Sequence, residues 1–272
     1  MHKNMHAFLQ ESKLACMQTL MVYSESGGAT KTTTAVSLAA VAASQGRRVV
    51  LIDLDPRAAS TKWLGIEPKE AGLHVGAILG DADPVGWAED LAVQTRWFPT
   101  LRAIPSARNV SNREADRADH AELRLKTSLD SIQADLVIID CPNRQGGPLT
   151  LSALNAADTI VYAATPTVDG VDGVDGARRS VDQFRLSRRR IGAPDNLVEA
   201  GIVVGAVQST VMSRIAGSSI DELRDTGMLL TPLVPHRTIV QEMRLTQEWY
   251  GQYRKGTPVV DAYIEIAKKV IQ

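Results

Sequence analysis

The sequence contains very little cysteine. Only two of its 272 residues are cysteines, Cys16 and Cys141, and they are far apart with no CxxC spacing. This scarcity argues against a disulfide framework and against a cysteine-based zinc site, and it fits a reducing, cytoplasmic compartment. The five histidines show no ligand spacing either, so we assign them no chemistry.

Long apolar runs and an excess of one charge are also missing. No apolar stretch approaches the roughly 18 residues that a membrane-spanning helix needs, and the N-terminal residues lack the apolar region of a signal peptide. We therefore expect a soluble, cytoplasmic protein without a membrane partner. Lys plus Arg total 30 and Asp plus Glu total 31, so affinity for nucleic acid requires a local basic patch.

No internal repeat, low-complexity tract or Pro/Ser-rich linker marks a second domain. A chain of this length can bury a full core. We predict an N-terminal extension at residues 1–17, which precedes the first strand pattern, and a single domain at residues 18–272.

From Gln18 onward, short β-branched apolar runs alternate with longer helical stretches. This alternation predicts an α/β fold, with a doubly wound, mostly parallel sheet and helices on both faces. The predicted strands are 20–24, 48–54, 100–104, 136–139, 159–164, 201–207 and 229–234, and the predicted helices are 33–45, 114–129, 148–156, 173–190, 218–226, 240–250 and 258–271.

A glycine pair, a lysine and a hydroxyl pair lie between the first predicted strand and helix. This order suits a phosphate-binding loop, because the glycines permit a tight turn, the helix N-terminus favours anions and a lysine adds positive charge. The usual loop pattern fails at Glu25 and Thr30, and an ordinary loop with a helix cap is the alternative. The predicted nucleotide-binding residues are Gly27, Gly28, Ala29, Thr30, Lys31, Thr32 and Thr33.

Three aspartates end two of the predicted strands. Asp53 and Asp55 close one strand, and Asp140 closes another. Ligands bind beyond the carboxyl ends of parallel strands, so these side chains are expected in one crevice. We predict that Thr32, Asp53 and Asp140 serve Mg²⁺ and that Asp55 orients or deprotonates the attacking water, with Lys31 as the second catalytic residue. For a single aspartate, turn formation is an equally good interpretation.

These motifs resemble the ParA/MinD group of deviant Walker ATPases, and the ParA-type partition proteins most closely. The resemblance covers nearly the whole chain from Gln18. It rests on Ser26–Thr33, Asp53–Ser60, Ile104-Pro105-Ser106 and Asp140-Cys141-Pro142, with a weaker match at Val234-Pro235-His236-Arg237.

The resemblance implies an ATPase that acts in DNA segregation, such as plasmid partition. Its ATP-bound, magnesium-dependent homodimer would bind nonspecific DNA of the nucleoid, and hydrolysis stimulated by a centromere-binding, ParB-like partner would release it. It also implies a place beside the nucleotide for Pro235. Two alternatives are a nucleotide-binding regulatory or scaffold module with weak or lost hydrolysis, and a MinD-like positioning ATPase.

The sequence departs from the family at two positions of the loop. The lysine that reaches across the dimer is replaced by Ser26, and the glycine before Lys31 is replaced by Thr30. We expect nucleotide binding to survive and hydrolysis to be slow without the partner. Arg57 and Arg144 follow the strand-end aspartates and are candidates for the missing charge.

An arginine-rich segment provides the local basic patch. Arg188, Arg189 and Arg190 end a predicted helix, and guanidinium groups on a helix can neutralise phosphates without reading bases. The resemblance adds Arg214 and Arg237 as candidate DNA contacts. An ordinary solvated helix face is the alternative for the arginine run. The C-terminal segment carries Asp261 and Glu265 among its apolar residues, which favours a packed helix over a membrane-binding one.

Overall fold

The computed structural model describes residues 17–208 and 211–272. The predicted extension therefore lies, except for Met17, outside the described residues. No helix among the described residues is long and apolar enough to cross a membrane.

A seven-stranded sheet forms the centre of the fold. Its strand order is β3-β4-β2-β5-β1-β6-β7; the short β3 pairs antiparallel with β4, and all other pairs are parallel. The α/β class and the mostly parallel sheet are thus confirmed. The strands are β1 (Gln18–Tyr23), β2 (Val49–Asp53), β3 (Val93–Gln94), β4 (Leu101–Ile104), β5 (Leu136–Asp140), β6 (Thr159–Ala164) and β7 (Val198–Val204).

Ten α-helices connect and cover these strands. Four short 3-10 helices, at Arg108–Ala115, Ala121–Leu123, Tyr250–Gln252 and Arg254–Gly256, complete the regular structure of the described residues. The helices are α1 (Lys31–Ser44), α2 (Ala59–Leu64), α3 (Val75–Ile78), α4 (Trp87–Leu91), α5 (Arg124–Ser128), α6 (Pro148–Ala156), α7 (Val168–Arg190), α8 (Arg214–Asp225), α9 (Thr238–Thr246) and α10 (Thr257–Val270).

Both faces of the sheet are buried, as the continuous apolar strands predict. Alternate residues of β1 point to opposite sides: Met21 packs in a core with residues of α3 to α8, whereas Leu20 packs in a second core with residues of α1 and α10. The apolar face of α10, including Tyr263 and Ile266, is buried in that second core. The prediction of a packed C-terminal helix is therefore confirmed.

Two predicted elements are wrong. The helix predicted over 114–129 is interrupted, because Asp116 is extended and His120 is left-handed, and only α5 is α-helical in this range. The strand predicted over 229–234 is absent, and two isolated bridges tie this region to the sheet. Pro232 and Pro235 have no N–H group to donate to a ladder, which accounts for the irregular pairing.

Candidate nucleotide-binding site

The phosphate loop connects β1 to α1, as predicted. Gly28 has φ +75°, a conformation that L-residues rarely adopt, and a Cβ at Gly27 would lie 3.3 Å from Nδ2 of Asn143. Ala29 is buried, whereas both glycines are exposed. The loop thus presents backbone to solvent next to the start of a long helix, which is the geometry of an anion site.

Thr30 stands where the family pattern has a glycine, and it adopts a left-handed conformation with φ 61° and ψ 14°. A side chain in this conformation needs free space, and the chain provides it at Gly205, where a Cβ would lie 2.7 Å from Oγ1 of Thr30. The Thr30 carbonyl accepts a 2.8 Å hydrogen bond from the N–H of Thr34. The replacement of the family's glycine by Thr30 is therefore accommodated by a glycine far away in sequence.

Lys31 is buried and folds back over the loop. Its Nζ donates a 2.8 Å hydrogen bond to the carbonyl oxygen of Ser26. Burial lowers the pKa of Lys31, while the nearby carboxyl groups of Asp140 and Asp55 raise it. A buried ammonium group at the centre of the loop is placed to bind phosphate oxygens.

Two glycines of α7 bring this helix close to the strand-loop junction. A Cβ at Gly173 would lie 2.5 Å from Cβ of Ser26, and one at Gly176 would lie 2.1 Å from a carboxylate oxygen of Glu25. Glu25 in turn accepts hydrogen bonds from the hydroxyls of Tyr23 and Ser180. The small side chain of Ser26 thus fits a place where α7 leaves little room.

The aspartates at the strand ends meet, as predicted. Asp53 and Asp140 are register partners on the neighbouring strands β2 and β5, and both are buried. Oδ2 of Asp53 accepts hydrogen bonds from the N–H and hydroxyl of Thr61, at 2.8 and 2.7 Å. Its Oδ1 accepts a 3.2 Å hydrogen bond from the N–H of Asp55. Asp53 therefore fixes the loop that carries Asp55.

Burial and neighbouring carboxyl groups disfavour the charged form of both Asp53 and Asp140. Burial and then the charge of Asp140 raise the pKa of Asp53 to about 8. Burial raises the pKa of Asp140 to about 6, against the opposing hydroxyls of Ser60 and Thr32. A cation placed beside Asp140 would relieve this penalty.

Asp140 also has an oxygen available for such a cation. The Ser60 hydroxyl donates to its Oδ2, but its buried Oδ1 has no partner at hydrogen-bond distance among the described residues. Thr32 approaches the same carboxylate. The described residues contain no cluster of three or more His, Cys, Asp or Glu that could hold a metal ion. A hydroxyl and one carboxylate fit Mg²⁺ that takes its remaining oxygens from phosphate and water.

A cavity of about 550 Å³, the phosphate pocket, opens at this point. Its walls include the phosphate loop, Asp55 and Arg57. Lys62 and Arg244 also line it, and sequence reasoning missed both because neither belongs to a motif. Arg144 is not among its lining residues and pairs with Glu114 at 3.4 Å. Of the two candidates for the missing charge, the structure brings only Arg57 to the pocket.

Pro235 lies in a smaller cavity that continues from the phosphate pocket. This cavity of about 90 Å³ shares Thr30 and Thr33 with the phosphate pocket, and Tyr263 closes another side. Pro235 forms an isolated bridge with Val207, in the segment that follows β7. The structure thus brings Pro235 next to the phosphate loop despite more than 200 intervening residues.

The predicted DNA-contacting arginines differ in their contacts and in their exposure. Arg188 donates to the carbonyl of Pro194 and to Asn155, and lies over the ring of Phe184. Arg189 and Arg190 are exposed, and Arg214 is exposed at the start of α8. Arg237 donates to the carbonyl of His236 at 2.8 Å and lines the cavity of Pro235. Arg188 and Arg237 are therefore bonded to neighbouring groups, whereas Arg189, Arg190 and Arg214 are exposed.

Comparison with known proteins gives consistent matches. A family model for an AAA domain matches residues 17–191. The chain is 32% identical over 258 residues to the chromosome-partitioning ATPase Soj of Thermus thermophilus, which covers 94% of this chain and 96% of that protein. Apo McdA of Cyanothece has a TM-score of 0.80 at 22% identity, covering 94% of this chain and 100% of that one. Cobyrinic acid a,c-diamide synthase of Mycobacterium smegmatis, solved with an ATP analogue and magnesium, has a TM-score of 0.72 at 28% identity and 93% coverage of both chains.

Proposed function

Because this chain belongs to the ParA/MinD-type partition ATPases, we propose that it is an ATP-dependent DNA-segregation ATPase. In this proposal an ATP-bound homodimer binds nonspecific DNA. Hydrolysis, stimulated by a centromere-binding, ParB-like partner, then releases the DNA. The convergence of Lys31, Thr32 and Asp55 on the phosphate pocket, with the buried carboxylate of Asp140 next to Thr32 and Lys31, is the observation that carries the proposal.

In this proposal each residue of the site has a separate role in hydrolysis. Lys31 exchanges the Ser26 carbonyl for the outer phosphates of ATP, since its ammonium group already lies at the centre of the loop. Thr32 and Asp140 would hold Mg²⁺, and the ion would neutralise charge on the phosphates. The solved relative with magnesium and an ATP analogue supports this fit. Asp53 was predicted on the metal side, and its contacts support a positioning role through the N–H of Asp55.

Asp55 is assigned to the attacking water. Its carboxylate accepts a 2.8 Å hydrogen bond from the N–H of Arg57, which fixes it at the rim of the pocket. Loss of the carboxylate is expected to abolish turnover and leave nucleotide binding, because Asp55 is not needed to hold the phosphates. The Asp55→Ala variant should therefore remain on DNA in the presence of ATP.

DNA binding measured together with turnover tests the proposal. The full chain is titrated with a nonspecific DNA duplex at several salt concentrations, with ATP, ADP or a non-hydrolysable analogue, and ATPase rate is recorded on the same samples. We expect binding with ATP or the analogue only, and a steep loss of affinity with salt. Equal binding with ADP and ATP would contradict the switch.

The same measurements address the two alternatives. Nucleotide binding without turnover, even with the partner protein present, would favour a regulatory or scaffold module with lost hydrolysis. The observation that favours such a module is that Ser26 replaces the lysine that reaches across the dimer in this family. Sedimentation with liposomes tests the MinD-like alternative, for which the burial of the apolar face of α10 gives no support.

Arg57 and Arg144 form a matched pair for the question of the missing charge. Arg57 lines the phosphate pocket, whereas Arg144 is paired with Glu114 and is not among its lining residues. We expect Arg57→Ala to lower the ATPase rate and Arg144→Ala to leave it unchanged. An unchanged rate in both variants and in Ser26→Lys would remove the idea that a charge within this chain compensates.

A further inference from the structure

A second cavity lies beside the phosphate pocket, at the carboxyl ends of β2 and β4. Its volume is about 730 Å³, within the range of small-molecule sites. The Asp53–Ser60 motif supplies one wall, and the residues that follow β4 supply another. The proposed function does not use this cavity.

The charge of the second cavity is strongly positive. Arg57, Lys62 and Arg108 line it, against the single acidic residue Glu67. All three cationic side chains are exposed, and none has an ion pair within residues 17–208 and 211–272. Like charges that converge without a counter-ion repel each other, so an anion in the cavity would be stabilised.

Ser106 supplies a hydrogen-bond group in the same cavity. It is 95% buried, since its exposed fraction is 5%, and its Oγ has no hydrogen-bond partner in the described part of the chain. A buried hydroxyl without a partner is costly, and a ligand oxygen would satisfy it. The backbone of Ser106 is fixed, because its N–H donates a 2.9 Å hydrogen bond to Oγ1 of Thr61.

We propose that the second cavity binds a phosphate-bearing small molecule, whose phosphate is held by Arg57, Arg108 and the hydroxyl of Ser106. A phosphate group carries more than one negative charge and several acceptor oxygens, which suits two guanidinium groups and a hydroxyl better than a single carboxylate does.

The second cavity and the phosphate pocket are physically connected. Arg57 and Lys62 line both, and Nζ of Lys62 donates a 2.8 Å hydrogen bond to the carbonyl of Arg57. From Ser106 a chain of hydrogen bonds runs through Thr61 to Asp53 and so to the N–H of Asp55. An occupant of the second cavity would therefore act on the residues that serve hydrolysis.

Binding of inorganic pyrophosphate to the full chain tests the proposal, and it requires neither ATP binding nor hydrolysis. Calorimetric titrations without nucleotide or Mg²⁺ are made in wild type and in a Lys31→Ala background, which weakens pyrophosphate binding at the phosphate loop. In that background we expect saturable binding, about tenfold weaker with Arg108→Gln, which removes a charge-assisted hydrogen bond, and several-fold weaker with Ser106→Ala. Neither residue lines the phosphate pocket.

Arg96→Gln is the matched control. Arg96 is exposed, lies at the amino end of β4 and lines neither cavity, so its loss should leave the affinity unchanged. Thermal unfolding of each variant verifies that it is folded. Absent binding, or equal affinity in the Arg108, Ser106 and Arg96 variants, would overturn the proposal. Displacement of pyrophosphate by an equimolar short DNA duplex would overturn the assignment to a small molecule.

Discussion

Charged residues cluster in two regions of this protein and serve it differently. At the strand ends, Lys31, Asp53 and Asp140 are buried within one motif-rich site. Along α7, some arginines are paired and others are exposed: Arg185 pairs with Glu199 and Asp195, whereas Arg189 is exposed.

The difference between these two regions shows where a sequence motif predicts the role of a charged residue. A strand end and a phosphate loop restrict where a side chain can point, so residue type and spacing indicate the role. On a helix, neighbouring arginines point in different directions, and what each one contacts depends on the elements packed there. Four predictions test this contrast.

The largest effect is expected for Lys31. Lys31→Ala removes the buried ammonium group from the phosphate loop, and ATP affinity should fall about 100-fold or more, since a desolvated charge-assisted contact is lost. Titration with a fluorescent ATP analogue measures it. Lys62→Ala is the control, because Lys62 is exposed at the edge of the same pocket. Its loss should lower ATP affinity several-fold less than the loss of Lys31 does. A larger loss of ATP affinity in Lys62→Ala than in Lys31→Ala would contradict the expected difference between buried and exposed charges.

Within α7, replacing the ion-paired Arg185 should lower the free energy of unfolding more than replacing an exposed arginine does. Arg185→Met removes ion pairs to Glu199 and Asp195 and a 2.7 Å hydrogen bond to the carbonyl of Leu197. We expect the free energy of unfolding to drop by about 2 kcal/mol, because the partly buried Glu199 loses one of its two ion pairs and keeps only the longer one, to Arg178 at 3.7 Å. Arg189→Met should change it by less than about 0.5 kcal/mol. Urea denaturation compares them, and equal losses would contradict the division.

The buried carboxyls make stability depend on pH. The pKa of Asp53 is raised to about 8 and that of Asp140 to about 6, so the folded state keeps protons that the unfolded state releases above about pH 4. The free energy of unfolding should therefore fall as pH rises, from about pH 4 to 6 through Asp140 and from about pH 4 to 8 through Asp53. Asp53→Asn cannot titrate, and its urea denaturation should show a shallower decline than wild type between pH 6 and 8. Parallel curves would contradict the raised pKa of Asp53.

The smallest effects per residue are expected at the exposed arginines. If Arg189 and Arg190 each contact a phosphate, the double variant Arg189→Ala/Arg190→Ala should lower the slope of log affinity against log salt by about 2 and leave stability unchanged. Arg188→Ala should change stability more and the salt slope less, because Arg188 is bonded to Pro194 and Asn155. An unchanged slope in the double variant would remove α7 from the proposed DNA surface.

The elements of the fold were predictable where a pattern was local. The boundaries predicted for α6 and β6 agree with the structure, since apolar runs and flanking turn residues define them. The helix predicted over 114–129 failed because Asp116 is bonded to Ala118 and Arg124 in an extended conformation. Neither contact can be inferred from helical periodicity.

The candidate site divides in the same way. The phosphate loop and the carboxylates of Asp53, Asp55 and Asp140 were predictable from residue type and strand ends. Arg244 and Lys62 were missed, because they enter the phosphate pocket from α9 and α2 and carry no motif.

The sequence by itself determined the fold class, the phosphate loop and the acidic strand ends, because short-range backbone geometry and the two-residue period of strands control them. Tertiary structure alone decided that Gly205 makes room for Thr30, that Arg57 rather than Arg144 faces the pocket, and that Ser106 lines a second, positively charged cavity. Each of these depends on contacts between residues far apart in the chain, which packing of the helices on the sheet creates and no local pattern records.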